Sequence, residues 1–171
     1  MQITIRPSQI SDLPALRQLS IDSFRNAYAA FNTPANMAHY LLENFSEEKM
    51  REELSDRKLC FLLASDNERL VGYVKLNLHP GARGGAENPV EIARLYTEPT
   101  LIGKGIGKQI LHAVDAYAKT NGHDAVCLDV WQKNFRAINF YQREGFSICG
   151  TTRFVLGEDI QDDFIMIKRL P

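Results

Sequence analysis

Three glycines in five positions, Gly103-Lys104-Gly105-Ile106-Gly107 with Lys108 following, limit what the middle of this chain can be. So few side chains mark a turn, not the interior of a strand or helix. The turn joins a strand-like run at 90–97 (VEIARLYT) to a strongly periodic helix over 105–120. Such a junction leaves several N–H groups unpaired in the first helical turn, where the helix macrodipole favours negative charge. Lys104 and Lys108 add positive side chains, so the turn suits a phosphate or pyrophosphate. A glycine turn that only packs a helix on a strand explains the same residues. Two other phosphate-binding patterns fail in detail. A Walker A loop needs Ser or Thr after Gly-Lys, and Gln109 follows Lys108. A Rossmann fingerprint belongs after a first strand, with its third glycine later and an acidic residue about twenty positions on.

The surrounding pattern predicts a mixed α/β (α+β) domain. Ile3 and Ile5 alternate with polar neighbours as an opening strand. Ser11 and Asp12 cap a helix that carries Leu13, Leu16, Leu19, Ile21 and Phe24, with Pro14 in its first turn. A second helix starts after Thr33 with Pro34, and a third after Ser46. Residues 59–64 and 70–78 read as an antiparallel hairpin around Asp66-Asn67, with Val71 and Tyr73 facing outward. The stretch 79–89 (HPGARGGAENP) is a loop. A strand at 124–130 and a helix at 134–143 follow. Two closing strands, 146–155 and 163–169, flank a polar loop with Gly157, Glu158, Asp159, Asp162 and Asp163.

The chain has 171 residues, a length expected of a single domain spanning 1–171. Its net charge of −1 and pI of about 6.4 provide no overall field for nucleic acid or an anionic membrane. No apolar run approaches the ~18 residues of a membrane span, and MQITIRPSQ lacks the apolar core of a secretory signal. The three cysteines, Cys60, Cys127 and Cys149, form no CxxC pair, which predicts reduced thiols and a cytoplasmic location. His39, His79, His112 and His123 are scattered without metal-ligand spacing, so no metal is expected.

A second segment carries chemistry: Asn134-Phe135-Arg136-Ala137-Ile138-Asn139-Phe140-Tyr141, closing on Glu144-Gly145-Phe146. Ala137, Phe140 and Tyr141 share a helical face at i, i+3, i+4. Taken alone, Tyr141 reads as a core aromatic and Asn134 as a helix cap. Together with the glycine turn, however, the segment resembles the GNAT family of N-acetyltransferases. The order is strand, Gly-rich turn, helix, strand, then Asn-x-x-Ala-x-x-Phe-Tyr-x-x-x-Gly-Phe. Further stretches are similar to PaiA-type spermidine/spermine acetyltransferases: LSIDSFRNAY (19–28), FSEEKMREELS (45–55), GYVKLN (72–77), VWQKNFRAINFYQREGF (130–146) and DDFIMIKRL (162–170).

The resemblance implies a mixed sheet of about seven strands flanked by helices, splayed between the fourth and fifth strands to admit acetyl-CoA. Backbone at Leu95, Tyr96 and Thr97 would bond the pantetheine amides. Main-chain N–H groups of Gly103, Lys104, Gly105, Ile106, Gly107 and Lys108 would take the pyrophosphate. Asn134 and Ala137 would line the pantetheine arm, and Tyr141 would act as the acid at the sulfur. Ile102 departs from the family pattern, which has Gln or Arg there. Glu91 is the expected general base; polyamine-type relatives often carry a glutamate at the position of Ala93. Glu43, Glu98, Asp159 and Asp163 are acidic candidates for holding ammonium groups. The implied reaction is acetyl transfer to a polyamine amine. Transfer to a protein N-terminus, or acyl-CoA binding without turnover in a regulatory module, are the alternatives. Many proteins of this fold pair as homodimers, although no self-complementary patch stands out here.

Overall fold

The computed structural model describes residues 1–157 and 159–171. Its elements run β1 (Ile3–Pro7), α1 (Leu13–Tyr28), α2 (Pro34–Phe45), α3 (Glu47–Ser55), β2 (Leu59–Asp66) and β3 (Arg69–Asn77). They continue with β4 (Pro89–Thr97), α4 (Ile106–Thr120), β5 (Ala125–Trp131), α5 (Phe135–Arg143), β6 (Ser147–Leu156) and β7 (Asp159–Arg169). The seven strands form one sheet ordered β1-β2-β3-β4-β5-β7-β6. All neighbours are antiparallel except β4 and β5. That parallel pair needs a crossover, which the glycine turn and α4 supply.

The helix starts follow local chemistry. Thr33 and Ser46 accept from the N–H of Asn36 and Lys49 as side-chain caps, and Pro34 occupies the first position of α2. The two faces of the sheet are buried differently. Ile106, Ile110, Leu111 and Val114 of α4 pack on Val74, Leu76, Ile92 and Leu128 from one side. Leu16, Phe24, Phe45 and Met50 of α1–α3 pack on Phe61, Leu63 and Tyr73 from the other.

This two-sided packing corrects the outward placement of Val71 and Tyr73, which are 1% and 0% exposed. A hairpin pattern was legible, but β3 lies inside a sheet with helices on both faces, so both of its faces are apolar. The closing hairpin differs too. Asp159, Asp162 and Asp163 are strand residues of β7, in register with Leu156, Arg153 and Thr152 of β6. Ladder pairing, with β6 for all three and with β5 as well for Asp163, overrides the low strand propensity of aspartate. Gly157 turns the hairpin with φ 62°, while Glu158 lies outside the described residues. Among the described residues, no helix is long and apolar enough to cross a membrane.

Candidate active site

β4 and β5 pair only from Pro89–Ala125 to Ile92–Leu128. Beyond that point β4 continues to pair with β3, with Ala93 bulged between Arg94 and Ile92 where these face Lys75 and Leu76. A bulge bends the strand that carries it, and here β4 bends away from β5. The gap opens into a cleft of about 460 Å³.

The edge of β4 facing the cleft has unpaired backbone. Glu98 N–H donates to the Val71 carbonyl. Antiparallel pairs alternate, so Tyr96 and Arg94 also turn their backbone groups to β3. Leu95 and Thr97 turn theirs to the cleft, and the Thr97 carbonyl already accepts from Ser23 Oγ at 3.2 Å. Of the three residues expected to bond a ligand through backbone, Leu95 and Thr97 face it and Tyr96 does not.

At the far end of the cleft, Gly103 and Gly105 adopt φ of 85° and 83°, left-handed values that side chains rarely tolerate. Gly105 caps α4, and the first intrahelical bond runs from Gln109 N–H to the Gly105 carbonyl. The N–H groups of Ile106, Gly107 and Lys108 therefore precede the helical ladder. Gly107 is small for a packing reason: an added Cβ would sit 3.3 Å from Cζ of Phe140. Ile106 contributes backbone only, because its side chain is 1% exposed in the core. Lys104 is the exception: its N–H donates to the Leu101 carbonyl, its side chain is exposed, and it is absent from the cleft wall. Lys108 Nζ lies 3.9 Å from Glu144 Oε1, a weak contact. Ile102 does line the cleft.

Asn134 is both a cap and a cleft residue. Its Oδ1 accepts from the Ala137 N–H at 3.1 Å, which fixes the start of α5, and both residues border the cleft. Tyr141 projects from the same helix, 9% exposed, with Phe140 and Phe146 against its ring. Burial pushes its phenol well above the ordinary value, so the hydroxyl keeps its proton. Arg136 and Arg143, also on the cleft wall, escaped the sequence reading. They stand seven apart on α5, two turns along one face, and that spacing was the available signal.

A second pocket of about 240 Å³ lies between the sheet and the α1–α2 layer. Phe24, Tyr28, Tyr40, Trp131 and Phe154 give it aromatic walls. Tyr28, Ala93, Arg94, Tyr96 and Asp129 border this pocket and the large cleft alike, so the two meet at the β4 bulge. Glu91 faces the pocket, but its carboxylate accepts from Arg83 Nη1 and, at 3.0 Å, from Asn77 Nδ2. Arg83 also holds Asp129. Arg94, three positions along β4, pairs with Glu53. Asp163 lies in the same pocket, 7% exposed, and burial together with Asp129 and Asp162 raises its carboxyl to about 6. The other acidic candidates lie outside this lining: Glu43 pairs with His39, Glu98 with Arg69, and Asp159 accepts from Gln161.

Comparison with known proteins agrees with this geometry. Residues 14–146 match the Acetyltransferase (GNAT) family. An uncharacterised N-acetyltransferase of Mycobacterium bovis is 32% identical over 161 residues, which are 94% of this chain and 99% of that protein. The spermidine N(1)-acetyltransferase of Thermoplasma acidophilum is 28% identical over 173 residues, 99% of this chain and 98% of its own. The crystal structure of a PaiA N-acetyltransferase from Thermoplasma acidophilum in complex with coenzyme A superposes with a TM-score of 0.83 at 28% identity, covering 99% of both chains. The matched stretch contains the splayed strands, the glycine turn and the Asn134–Tyr141 helix, and the chain belongs to the GNAT family of acetyltransferases.

Proposed function

We propose that the protein transfers the acetyl group of acetyl-CoA to a primary amine of a polyamine such as spermidine or spermine. One observation carries this reading: an aromatic-walled pocket that holds the carboxylates of Glu91, Asp129 and Asp163 opens onto the splay between β4 and β5, where a thioester would lie. Aromatic faces and carboxylates together suit an alkylammonium chain.

The cleft residues fit acetyl-CoA as the donor substrate. The free N–H groups at the start of α4 suit a pyrophosphate, and the open β4 edge at Leu95 and Thr97 suits amides. Arg136 and Arg143 add positive charge at the rim. The donor supplies an activated acetyl carbonyl on sulfur.

The rest of the chemistry falls to the protein. A free amine of pKa ~10.4 is nucleophilic in only about one molecule in a thousand near neutral pH. The pocket must therefore hold the ammonium, accept a proton and bring the nitrogen close to the carbonyl. A backbone N–H on the β4 edge, at Leu95 or Thr97, would polarise the carbonyl oxygen. Tyr141, kept protonated by burial, would deliver its proton to the departing thiolate. Glu91 borders the acceptor side as a carboxylate already paired with Arg83. The free thiols of Cys60, Cys127 and Cys149 suit a reducing compartment such as the cytoplasm.

Thiol release from acetyl-CoA, measured with spermidine, spermine and an Ala- or Ser-starting peptide, tests the reading. Turnover on a polyamine that falls at least tenfold in Tyr141→Phe supports it. Turnover on the peptide alone would transfer the function to protein N-termini. Binding of acetyl-CoA without turnover on any acceptor would sink the polyamine assignment.

A further inference from the structure

Asp163 stands apart from the other carboxylates of the acceptor pocket. It sits on β7 opposite Trp131 of β5 and Thr152 of β6, and its side chain is more than nine-tenths buried. Among the described residues, Asp163 Oδ1 has no hydrogen-bond partner. Gln161, two positions earlier on the same face of β7, shares this state: it is 6% exposed and its Oε1 is also unpartnered. Two orphaned acceptor oxygens in the wall of one pocket are unusual, because each costs about 1–3 kcal/mol unless a donor arrives. A donor with several protons could serve both oxygens, and an ammonium group is one.

Glu91 and Asp129 line the same pocket, yet Arg83 bridges both. A carboxylate beside a guanidinium is a poor proton acceptor, since taking the proton would strand the cation. Among the described residues, no such cation is bonded to Asp163.

Resting on the acetyl-transfer reading above, we propose that Asp163 is the catalytic base, accepting the proton that the acceptor ammonium must lose before attack. The ammonium N–H bond breaks and its proton goes to an Asp163 carboxylate oxygen. The freed lone pair forms the N–C bond at the thioester carbonyl, and the C–S bond breaks with its electrons on sulfur. Tyr141 protonates that sulfur and recovers a proton from the acetylated nitrogen. Asp163 returns its own proton to solvent. The net products are an amide, a free thiol and one proton.

The groups facing Asp163 bear on its titration. From the helices they are Tyr28 of α1 and Tyr40 of α2; from β4 they are Glu91, Arg94 and Tyr96. Asp129 of β5 and Arg153 of β6 complete the ring, with Asp162 adjacent in the chain. Asp129 and Asp162 favour the proton on Asp163, in the same direction as burial does.

The test compares wild type with Asp163→Asn and Glu91→Gln, following kcat/KM against pH with spermidine. Wild type should show an acidic limb near pH 6. Asp163→Asn should abolish that limb and lower the rate by about 10²–10⁴-fold. A second acceptor separates chemistry from structure. With trifluoroethylamine, already neutral at the assay pH, Asp163→Asn should lose less than about tenfold, since no proton need be accepted before attack. An equal loss on both amines, or an acidic limb that survives in Asp163→Asn, overturns the proposal. So does loss of the limb in Glu91→Gln with its retention in Asp163→Asn. Should Asp163→Asn fail to fold, a wild-type profile with no limb between pH 5 and 7 would refute it on its own. Absence of wild-type turnover with any amine would instead overturn the acetyl-transfer reading, an outcome distinct from all of these.

Discussion

Ile92 of β4 and Leu128 of β5 are the last residues that the two parallel strands hold opposite each other. Both are buried under α4, at 5% and 1% exposure, so the apolar layer clamps the strands together up to this point. The next residue, Ala93, is bulged and exposed, and from there β4 follows β3 alone. The cleft thus begins where the core ends. Its backbone donors are those the ladder would otherwise have consumed.

The bulge rests on a buried charge cluster. Lys75 Nζ lies 2.6 Å from Glu53 Oε1, and Arg94 Nη1 lies 2.9 Å from Glu53 Oε2. Arg94 also stacks over Phe45, 4.6 Å from the ring centroid. Glu53 is 6% exposed, so Glu53→Gln strands two cations away from water. Breaking a buried pair this way costs about 3–5 kcal/mol. At about 2–4 °C per kcal/mol for a chain of this size, the melting temperature should fall by roughly 10 °C. Calorimetry should also show partial recovery when Lys75→Met is added, because one stranded charge is then gone. No recovery would mean that Lys75 is not part of the cluster's energetics.

The glycine turn supports a sharper contrast. Gly105 has φ 83°, yet a Cβ there would meet nothing within 4 Å. Gly105→Ala therefore tests backbone strain alone, about 1–2 kcal/mol for a left-handed residue. Relaxing that strain would swing the first N–H groups of α4, so coenzyme A affinity measured by calorimetry should drop about tenfold. Gly107 has no positive φ, and Gly107→Ala has only to push Phe140 back by a few tenths of an ångström. Its effect on affinity should be smaller. The reverse order would show that crowding by Phe140, not turn geometry, controls the site.

Much of this was legible because the relevant signals are local. Gly105 at a helix start, Asn134 as a cap, and Thr33 and Ser46 as caps all act within three or four residues. The misreadings involve partners distant in sequence. Tyr73 looks like an outward strand residue until α1, fifty-three positions back at Ser20, covers it and bonds its hydroxyl at 2.9 Å. Asp159 and Asp162 look like loop residues until β6 pairs along them. Glu91 reads as a general base from its place on β4, and only folding of the 79–89 loop brings Arg83 onto it.

That ion pair has a consequence for acceptor binding. Arg83 bridges Glu91 and Asp129, two carboxylates of the pocket lining, and its side chain is 19% exposed. Arg83→Ala would leave both carboxylates uncompensated beside an incoming polycation. At an effective dielectric near 20, one extra unit of negative charge a few ångströms away tightens binding appreciably. The KM for spermidine should fall by about threefold or more, most clearly at low ionic strength. With a monoamine the change should be smaller. A KM that rises for both would show that Arg83 acts through loop placement, not through charge.

Asp163 also has to be reconciled with stability. Burial, with Asp129 and Asp162 nearby, pushes its carboxyl up to about 6 in the folded chain, from 3.8 ordinarily. Between roughly pH 4 and 6 the folded state therefore holds a proton that the unfolded state has released. Where the native state binds more protons, stability falls as pH rises, so the fold is penalised throughout the range above pH 6. That displacement corresponds to at most about 3 kcal/mol, less with solvent screening. Asp163→Asn, neutral at every pH, should escape the penalty. Its melting temperature should exceed wild type by several degrees at pH 7.5 and converge with it near pH 4. A variant less stable than wild type at pH 7.5 would show that the carboxylate has a hydrogen-bonded partner in the folded protein, and its role as an open proton acceptor would fall with that result. If stability rises while the rate on spermidine drops, the buried carboxylate is held against a cost in folding free energy, as expected of a group kept for chemistry.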